Sequence, residues 1–122
     1  MGKSVLDAVI DAALSEVKDN ANQIHVCATE PTTRTAAVTT NNLASGTVAS
    51  IDFTLANGDT SGRKSTCAAQ TGLSITSSGD ADHVAVTDAT RLLIVTTCAT
   101  QTLTSGGTVD LGAFDQEIGD PT

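Results

Sequence analysis

The chain contains no tryptophan, no tyrosine and only two phenylalanines, Phe53 and Phe114. Sugars and nucleobases are held largely on flat aromatic faces, so a carbohydrate site or a base-stacking surface has little to be built from here. Positive charge is also scarce: six Lys and Arg stand against 14 Asp and Glu, a formal net charge of −8 at pH 7. Such a surface repels a phosphate backbone, and no basic stripe with interleaved aromatics is present, so nucleic-acid binding is not expected. No apolar run approaches the roughly 18 residues of a membrane-spanning helix, and Asp7 and Asp11 break the N-terminal stretch that would have to serve as a signal peptide. Cytoplasmic synthesis and no membrane partner are the expectations. Gly2 stands where a myristoylation signal places its glycine, but Leu6 occupies the position that such a signal gives to Ser or Thr. Cys27, Cys67 and Cys98 are an odd number of cysteines with no close spacing, which predicts free thiols, mostly buried.

What the chain does have is Thr, Val, Ala and Ser in quantity, with Gly, Asn and Asp between apolar runs. β-Branched residues suit a pleated sheet, and the small polar residues suit turns, so the composition leans to an all-β fold. A length of 122 residues predicts one domain. Its core, made of Val, Ile, Leu and Ala, is thin, and stabilisation by assembly is a natural consequence.

Along the chain the hydrophobic period changes once. Ser4 with Asp7 three residues on resembles a capping box, and Val5, Leu6, Val9, Ile10, Ala13, Leu14 and Val17 recur at helical spacing opposite Asp7, Asp11, Ser15 and Lys18. An amphipathic helix over residues 4–20 is predicted, packing on a sheet. From Gln23 the period is two: residues 24–28 alternate until Pro31 takes the chain out of the sheet. Residues 32–46 read as a long polar loop with at most one short edge strand. Further strands are predicted at 47–55, with Ala49, Ile51, Phe53 and Leu55 on one face, and at 64–70, 73–76, 82–88, 91–98 and 108–118. Leu92 to Val95 are apolar on both faces, which predicts a central strand covered on both sides. In 108–118 the apolar parity slips, and a bulge or bend at Gly112 would reconcile it. The expected architecture is mainly β, an antiparallel β-sandwich (Ig-like or jelly-roll-like) over residues 23–118 with one N-terminal amphipathic α-helix, and a short tail at 119–122.

His25, Cys27, Cys67, His83 and Cys98 supply enough nitrogen and sulfur for a zinc site on paper. The only close pair is His25-x-Cys27, however, and no knuckle of the C-x₂₋₄-C or H-x₃₋₅-H kind is present, so neither a metal nor any other cofactor is expected. Cys27 with His25 or His83 as its base lacks a recognisable oxyanion hole, and core packing is the preferred role for these side chains. Asp115 and Glu117 share one strand face, but glycosidic acid–base work needs a cleft with aromatic sugar platforms and the chain has almost no aromatics; a solvated face explains them. Asp80, Asp82 and Asp59 lack the remaining ligands of a calcium loop, and turns explain them. Arg63 and Lys64 form the only basic cluster, readable as edge charges that discourage aggregation or as an anchor to an acidic neighbour. No catalytic residue is expected.

The order of landmarks, "VLDAVIDAAL", "HVCATEPTT", "NGDTSGRK", "GDADHVAVTD" with "RLLIVTTC", and "LTSGGTVDLGAFDQEIGDP", resembles a family of small virion structural proteins of tailed bacteriophages. The likeness runs over nearly the whole chain. It implies a non-enzymatic decoration, or cement, protein on the outer surface of the head, made in the host cytoplasm. The implied partners are the major capsid protein and further copies of this chain, a trimer in preference. A neck or tail component is the alternative within that class, and a receptor- or carbohydrate-binding module on the virion is the alternative outside it. For partner contacts the candidates are Thr32, Thr33, Arg34, Asn41 and Asn42 in the long polar segment, with Arg63 and Lys64.

Overall fold

The computed structural model describes residues 4–121; Gly2, with the lipid-signal question it raised, and Thr122, the end of the tail, lie outside them. The fold is mainly β, with two antiparallel sheets and one N-terminal helix, the components of a β-sandwich-like architecture. The chain divides into two compact units. One holds the N-terminal segment through Asn20, Ala49–Ala69 and the C-terminal segment from Gly112; the other holds Ala21–Val48 and Gln70–Leu111.

The first unit is a helix on a three-stranded sheet. Helix α1 (Asp7–Asn20) packs on the sheet that β4 (Arg63–Cys67) forms with β3 (Phe53–Asn57) on one side and β9 (Phe114–Ile118) on the other. It starts at Asp7, because the first amides to close a turn, those of Val9 and Ile10, donate to the Leu6 carbonyl, which puts the cap at Leu6, two residues later than the Ser4 cap that the capping-box spacing predicts. Of the predicted stripe only Ile10, Leu14 and Val17 are buried; Leu6 and Val9 face solvent. Lys18 Nζ fastens the helix by donating to the Ser50 and Phe53 carbonyls at 2.8 and 2.7 Å.

Residues 47–55, expected as one strand, are cut by a 3₁₀ turn at Ser50–Asp52. The Asp52 carboxylate accepts the Ala49 amide at 2.8 Å while the Asp52 amide returns to the Ala49 carbonyl, and this local pairing outcompetes the ladder. Ile51 is therefore not in a core; it is 87 % exposed. The loop at 58–62 joins β3 to β4. Gly62 has φ +67°, and a Cβ there would run into the Ile118 carbonyl, so the loop requires glycine twice over.

The second unit is a six-stranded sheet. Its strands are β1 (Gln23–Cys27), β2 (Asn42–Thr47), β5 (Gln70–Ile75), β6 (Gly79–Thr87), β7 (Leu92–Leu103) and β8 (Thr108–Leu111), in the order β7-β6-β1-β2-β5-β8. Where a long loop was expected, residues 34–40 coil into a helical turn whose last part, Ala36–Thr40, is π-wound, and β2 is an interior strand instead of an edge. β2 escapes the alternation rule because it carries a bulge: Val26 pairs with Ala44 but Cys27 with Asn42, leaving Leu43 as an extra residue. Leu43 and Ala44 consequently both enter the apolar cluster with Val26, Leu73, Ile75, Ala81 and Leu103.

β7 is not the covered central strand its apolar run predicts. It lies at the edge of the sheet, paired with β6 alone, and Leu92 to Val95 are half-buried. Its register against β6 shifts twice, and bulges of this kind twist an edge away from unwanted pairing. The stretch 108–118 is likewise two strands, not one with a bend: β8 belongs to the six-stranded sheet and β9 to the three-stranded one, with the change of sheet at residues 112–113.

Thr29 has φ +69°, the one positive φ on a non-glycine residue among those described. A β-branched side chain in the left-handed region is strained by about 1–2 kcal/mol. The Thr29 amide is held there by the Asp82 carboxylate at 2.8 Å. Thr29→Gly is expected to raise stability by about 0.5–1 kcal/mol after the entropic cost of glycine, measurable as a higher urea midpoint at unchanged m-value.

Candidate functional site

His25 and Cys27 are alternate residues of β1, so they share one face of the six-stranded sheet. Cross-strand pairing places Ser45 and Ala85 opposite His25, and Asn42 and His83 opposite Cys27. The bulge in β2 turns Asn42 to this face, where its Oδ1 accepts a hydrogen bond from His25 Nδ1 at 3.2 Å. With Nδ1 as donor, the neutral ring keeps Nε2 as an acceptor, and the Thr87 hydroxyl donates to it at 3.1 Å. Burial lowers the His25 pKa below its ordinary value, against the opposing hydrogen bond that Nδ1 donates to Asn42, and the Arg34 charge adds to the lowering. A buried neutral imidazole whose two nitrogens are both engaged is a bridge between strands.

Cys27 is fully buried, and its Sγ donates to the Ala37 carbonyl of the helical turn at 3.7 Å. Burial, with Asp82 and Cys98 as lesser causes, pushes this thiol up to about 11. Burial and Asp52 push Cys67 up to about 11 as well, and burial raises half-buried Cys98. The thiolate is the nucleophile, and at pH 7.5 a thiol of this kind is ionised on the order of once in several thousand molecules. Labelling the native chain with a maleimide at pH 7.5 should therefore modify Cys98 first, with Cys27 and Cys67 reacting only on unfolding. Fast native-state labelling of Cys27 in a peptide map would contradict the burial.

The residues singled out for partner contacts do not form one site. Thr32 is exposed, while Thr33 uses its Oγ1 to accept the Ala36 amide at 3.0 Å and so starts the helical turn. Arg34 Nε donates to the Asp88 carbonyl at 2.8 Å. The Asn41 backbone is taken at both ends, its amide by the Ala36 carbonyl and its carbonyl by the Ala28 amide. Asn42 serves His25. Arg63 and Lys64, in the other unit, are also engaged. Arg63 pairs with Asp11 at 2.8 Å and reaches Asn57, and Lys64 lies between Asp59 and Asp115 at 2.8 and 3.2 Å. These hydrogen bonds hold both cations above their ordinary pKa, with the Asp11 and Asp59 bonds the largest causes respectively.

The acidic candidates are similarly occupied. Asp115 accepts from Thr66 and Lys64, which hold its carboxyl below the ordinary range; Glu117 accepts the Thr60 amide; Asp80 accepts the Thr102 hydroxyl. Asp82 takes His83 Nδ1 at 2.7 Å on the same oxygen that holds the Thr29 amide, and the His83 bond is the main reason its pKa is depressed. No group of three or more His, Cys, Asp or Glu side chains placed to hold a metal occurs among the described residues.

Asp88 is the polar residue that strand-by-strand reading passed over. One of its oxygens accepts the amides of Thr90 and Arg91 and the other accepts Arg91 Nε, so a single side chain builds the turn between β6 and β7. These bonds, the Thr90 amide first, hold its carboxyl below the usual range. The signal was present as Asp-Ala-Thr-Arg, an Asx-turn spacing between two strands. Comparison with protein-family models, with curated protein sequences and with solved structures returns no match. No helix among the described residues is long and apolar enough to cross a membrane.

Proposed function

We propose that the chain is a non-enzymatic structural protein of a tailed-bacteriophage virion, a decoration or cement protein that binds the outside of the head and secures contacts between major capsid proteins. The observation that carries this reading is the ordered set of sequence landmarks, and their placement in the fold is in keeping with it. "EPTT" supplies buried Pro31 and the Thr33 hydroxyl that starts the helical turn. "SGRK" supplies the Gly62 turn and the Arg63 and Lys64 ion pairs, and the closing motif supplies β9. The motifs thus fall at joints of the scaffold, as suits a chain whose product is a shape. The side chains that could have argued for catalysis are spent inside the fold: His25 on Asn42 and Thr87, Cys27 as a protonated thiol. A net charge of −8 favours solubility at high copy number and a partner surface that carries basic groups.

The test is reconstruction of the particle that encodes this chain, with quantitative mass spectrometry of its proteins. A copy number in the hundreds with density on the outer head surface is the expected result. A handful of copies at the neck or tail would move the protein to that location, and absence from the particle would overturn the proposal.

A further inference from the structure

Asn57 is the only asparagine of the chain that is followed by a glycine. It is exposed at the end of β3, where the loop 58–62 begins. An asparagine in this position is the one most open to attack by its own main chain, because a following residue without a side chain leaves its amide nitrogen unshielded. The side-chain carbonyl is also activated. Asn57 Oδ1 accepts a hydrogen bond from the Arg63 guanidinium at 2.8 Å, which draws electrons from the carbonyl carbon and steadies the oxyanion that attack there would form. The attacking nitrogen, however, is occupied while the loop is closed: the Gly58 amide donates to the Gly62 carbonyl at 3.0 Å. The loop is held shut from β9 and the segment after it, by the Thr60 amide on the Glu117 carboxylate at 3.0 Å and the Asp120 amide on the Ser61 hydroxyl at 3.0 Å. Single hydrogen bonds of this kind at a surface are weak, so the loop opens locally without the sheet unfolding.

We infer that Asn57 is a site of spontaneous covalent modification, gated by the loop 58–62. In the opened loop the Gly58 nitrogen gives its proton to solvent and bonds to Asn57 Cγ. The Cγ–Nδ2 bond then breaks, Nδ2 takes a proton from solvent and leaves as ammonia, and a cyclic succinimide remains. Water adds to one of the two imide carbonyls and opens the ring, giving an aspartyl residue or its isoaspartyl isomer. No oxidant or cofactor enters, and each event adds one negative charge to the surface. The fold treats the two products differently. An aspartyl carboxylate at this place keeps the Arg63 hydrogen bond and turns it into an ion pair, with Arg63 standing between it and Asp11. An isoaspartyl unit leads the main chain through the side-chain carbon and so lengthens it beside Gly58, where even an added Cβ would run into the Ser61 carbonyl and the Glu117 carboxylate. It also breaks the pairing of Asn57 with Arg63 that ends the β3–β4 ladder. The inference is independent of the virion assignment.

Incubation of the full chain at mildly alkaline pH, native and in denaturing urea, tests it, read by ion-exchange separation of charge variants and by peptide mapping. Conversion at Asn57 ahead of Asn20, Asn22, Asn41 and Asn42 is expected in the folded chain, at a rate at least about tenfold below that in urea, the protection given by a loop that must open first. Glu117→Ala, which frees the Thr60 amide, should speed the native reaction a few-fold and leave the rate in urea unchanged. Ser61→Ala, which frees the Asp120 amide, should do the same and serves if the first variant does not fold. Asn57→Asp should keep the wild-type urea midpoint, whereas the isolated isoaspartyl fraction should unfold at lower urea. A folded chain that stays unconverted while the unfolded one is consumed, equal rates in the two states, or folded loop variants that convert no faster than wild type would overturn the inference.

Discussion

Leu14→Ala is expected to destabilise the protein by about 2–5 kcal/mol, a large share of the stability of a domain this size. Leu14 is only 1 % exposed, the most deeply covered of the three side chains that α1 buries. Truncation removes three carbons from a packed position, and the cost follows from the lost burial and from the cavity that the surrounding helix and sheet only partly refill. Urea unfolding followed by circular dichroism should show the midpoint falling at nearly constant slope. Val9→Ala, one face round on the same helix, should change monomer stability by less than about 0.5 kcal/mol, because Val9 is exposed. The contrast between the two substitutions measures which part of the wide apolar stripe is core. Equal losses would mean that the inward and outward faces are wrongly assigned.

His25→Ala is expected to cost about 2–4 kcal/mol, with the loss concentrated in polar groups rather than volume alone. It removes the acceptor of the Thr87 hydroxyl and the donor to Asn42 Oδ1, and Thr87 is fully buried. The residue also carries a pH signature. Burial keeps the folded imidazole neutral below the pH at which the unfolded one, with an ordinary pKa near 6.5, takes up a proton. As pH falls through about 6.5 the unfolded state therefore binds more protons, and stability drops, by at most about 1.4 kcal/mol per pH unit, until the folded-state pKa is reached. Above about 7 the group contributes no slope. Unfolding free energies of wild type and His25→Ala compared between pH 8 and 5 should converge as pH falls, since only wild type has this imidazole to protonate. His83 is common to both proteins and cancels. Parallel pH curves would show that His25 is not held neutral by burial. The carboxyls of Asp82, Asp88 and Asp115, held below their ordinary range, add a separate loss of stability at more acid pH, beginning near pH 4.

The pair His25 and Cys27 shows how far sequence reasoning reaches. Their alternate spacing, with Ile24 and Val26 between and before them, identifies a strand and favours packing over chemistry. The partners that complete the bridge, Asn42 and Thr87, are 17 and 62 residues away, and nothing local to either strand names them. Asn42 stood among the candidates for outward contacts because it lies in a polar stretch. It faces inward because one bulge in β2 shifts the parity of every residue beyond it. Arg63 and Lys64 were legible as a basic cluster, but their acids come from α1, from the loop 58–62 and from β9, segments that only pairing of the sheet assembles.

Period and turn chemistry were sufficient to specify the helix, the mainly β class and most strands, since these depend on residues within a few positions of each other. The failures share a cause. Ile51 alternates properly with Phe53, yet a nearby carboxylate closes a 3₁₀ turn around it. Leu92 to Val95 are as apolar as a central strand, yet β7 lies at an edge because no later segment pairs beyond it. Residues 108–118 form a continuous β pattern, yet two sheets divide it. What the chain determines locally is which segments extend, coil or turn. Which of them end up inside or at an edge was decided only in the tertiary structure, because strand order joins residues far apart in sequence and a single inserted residue inverts the faces of a strand.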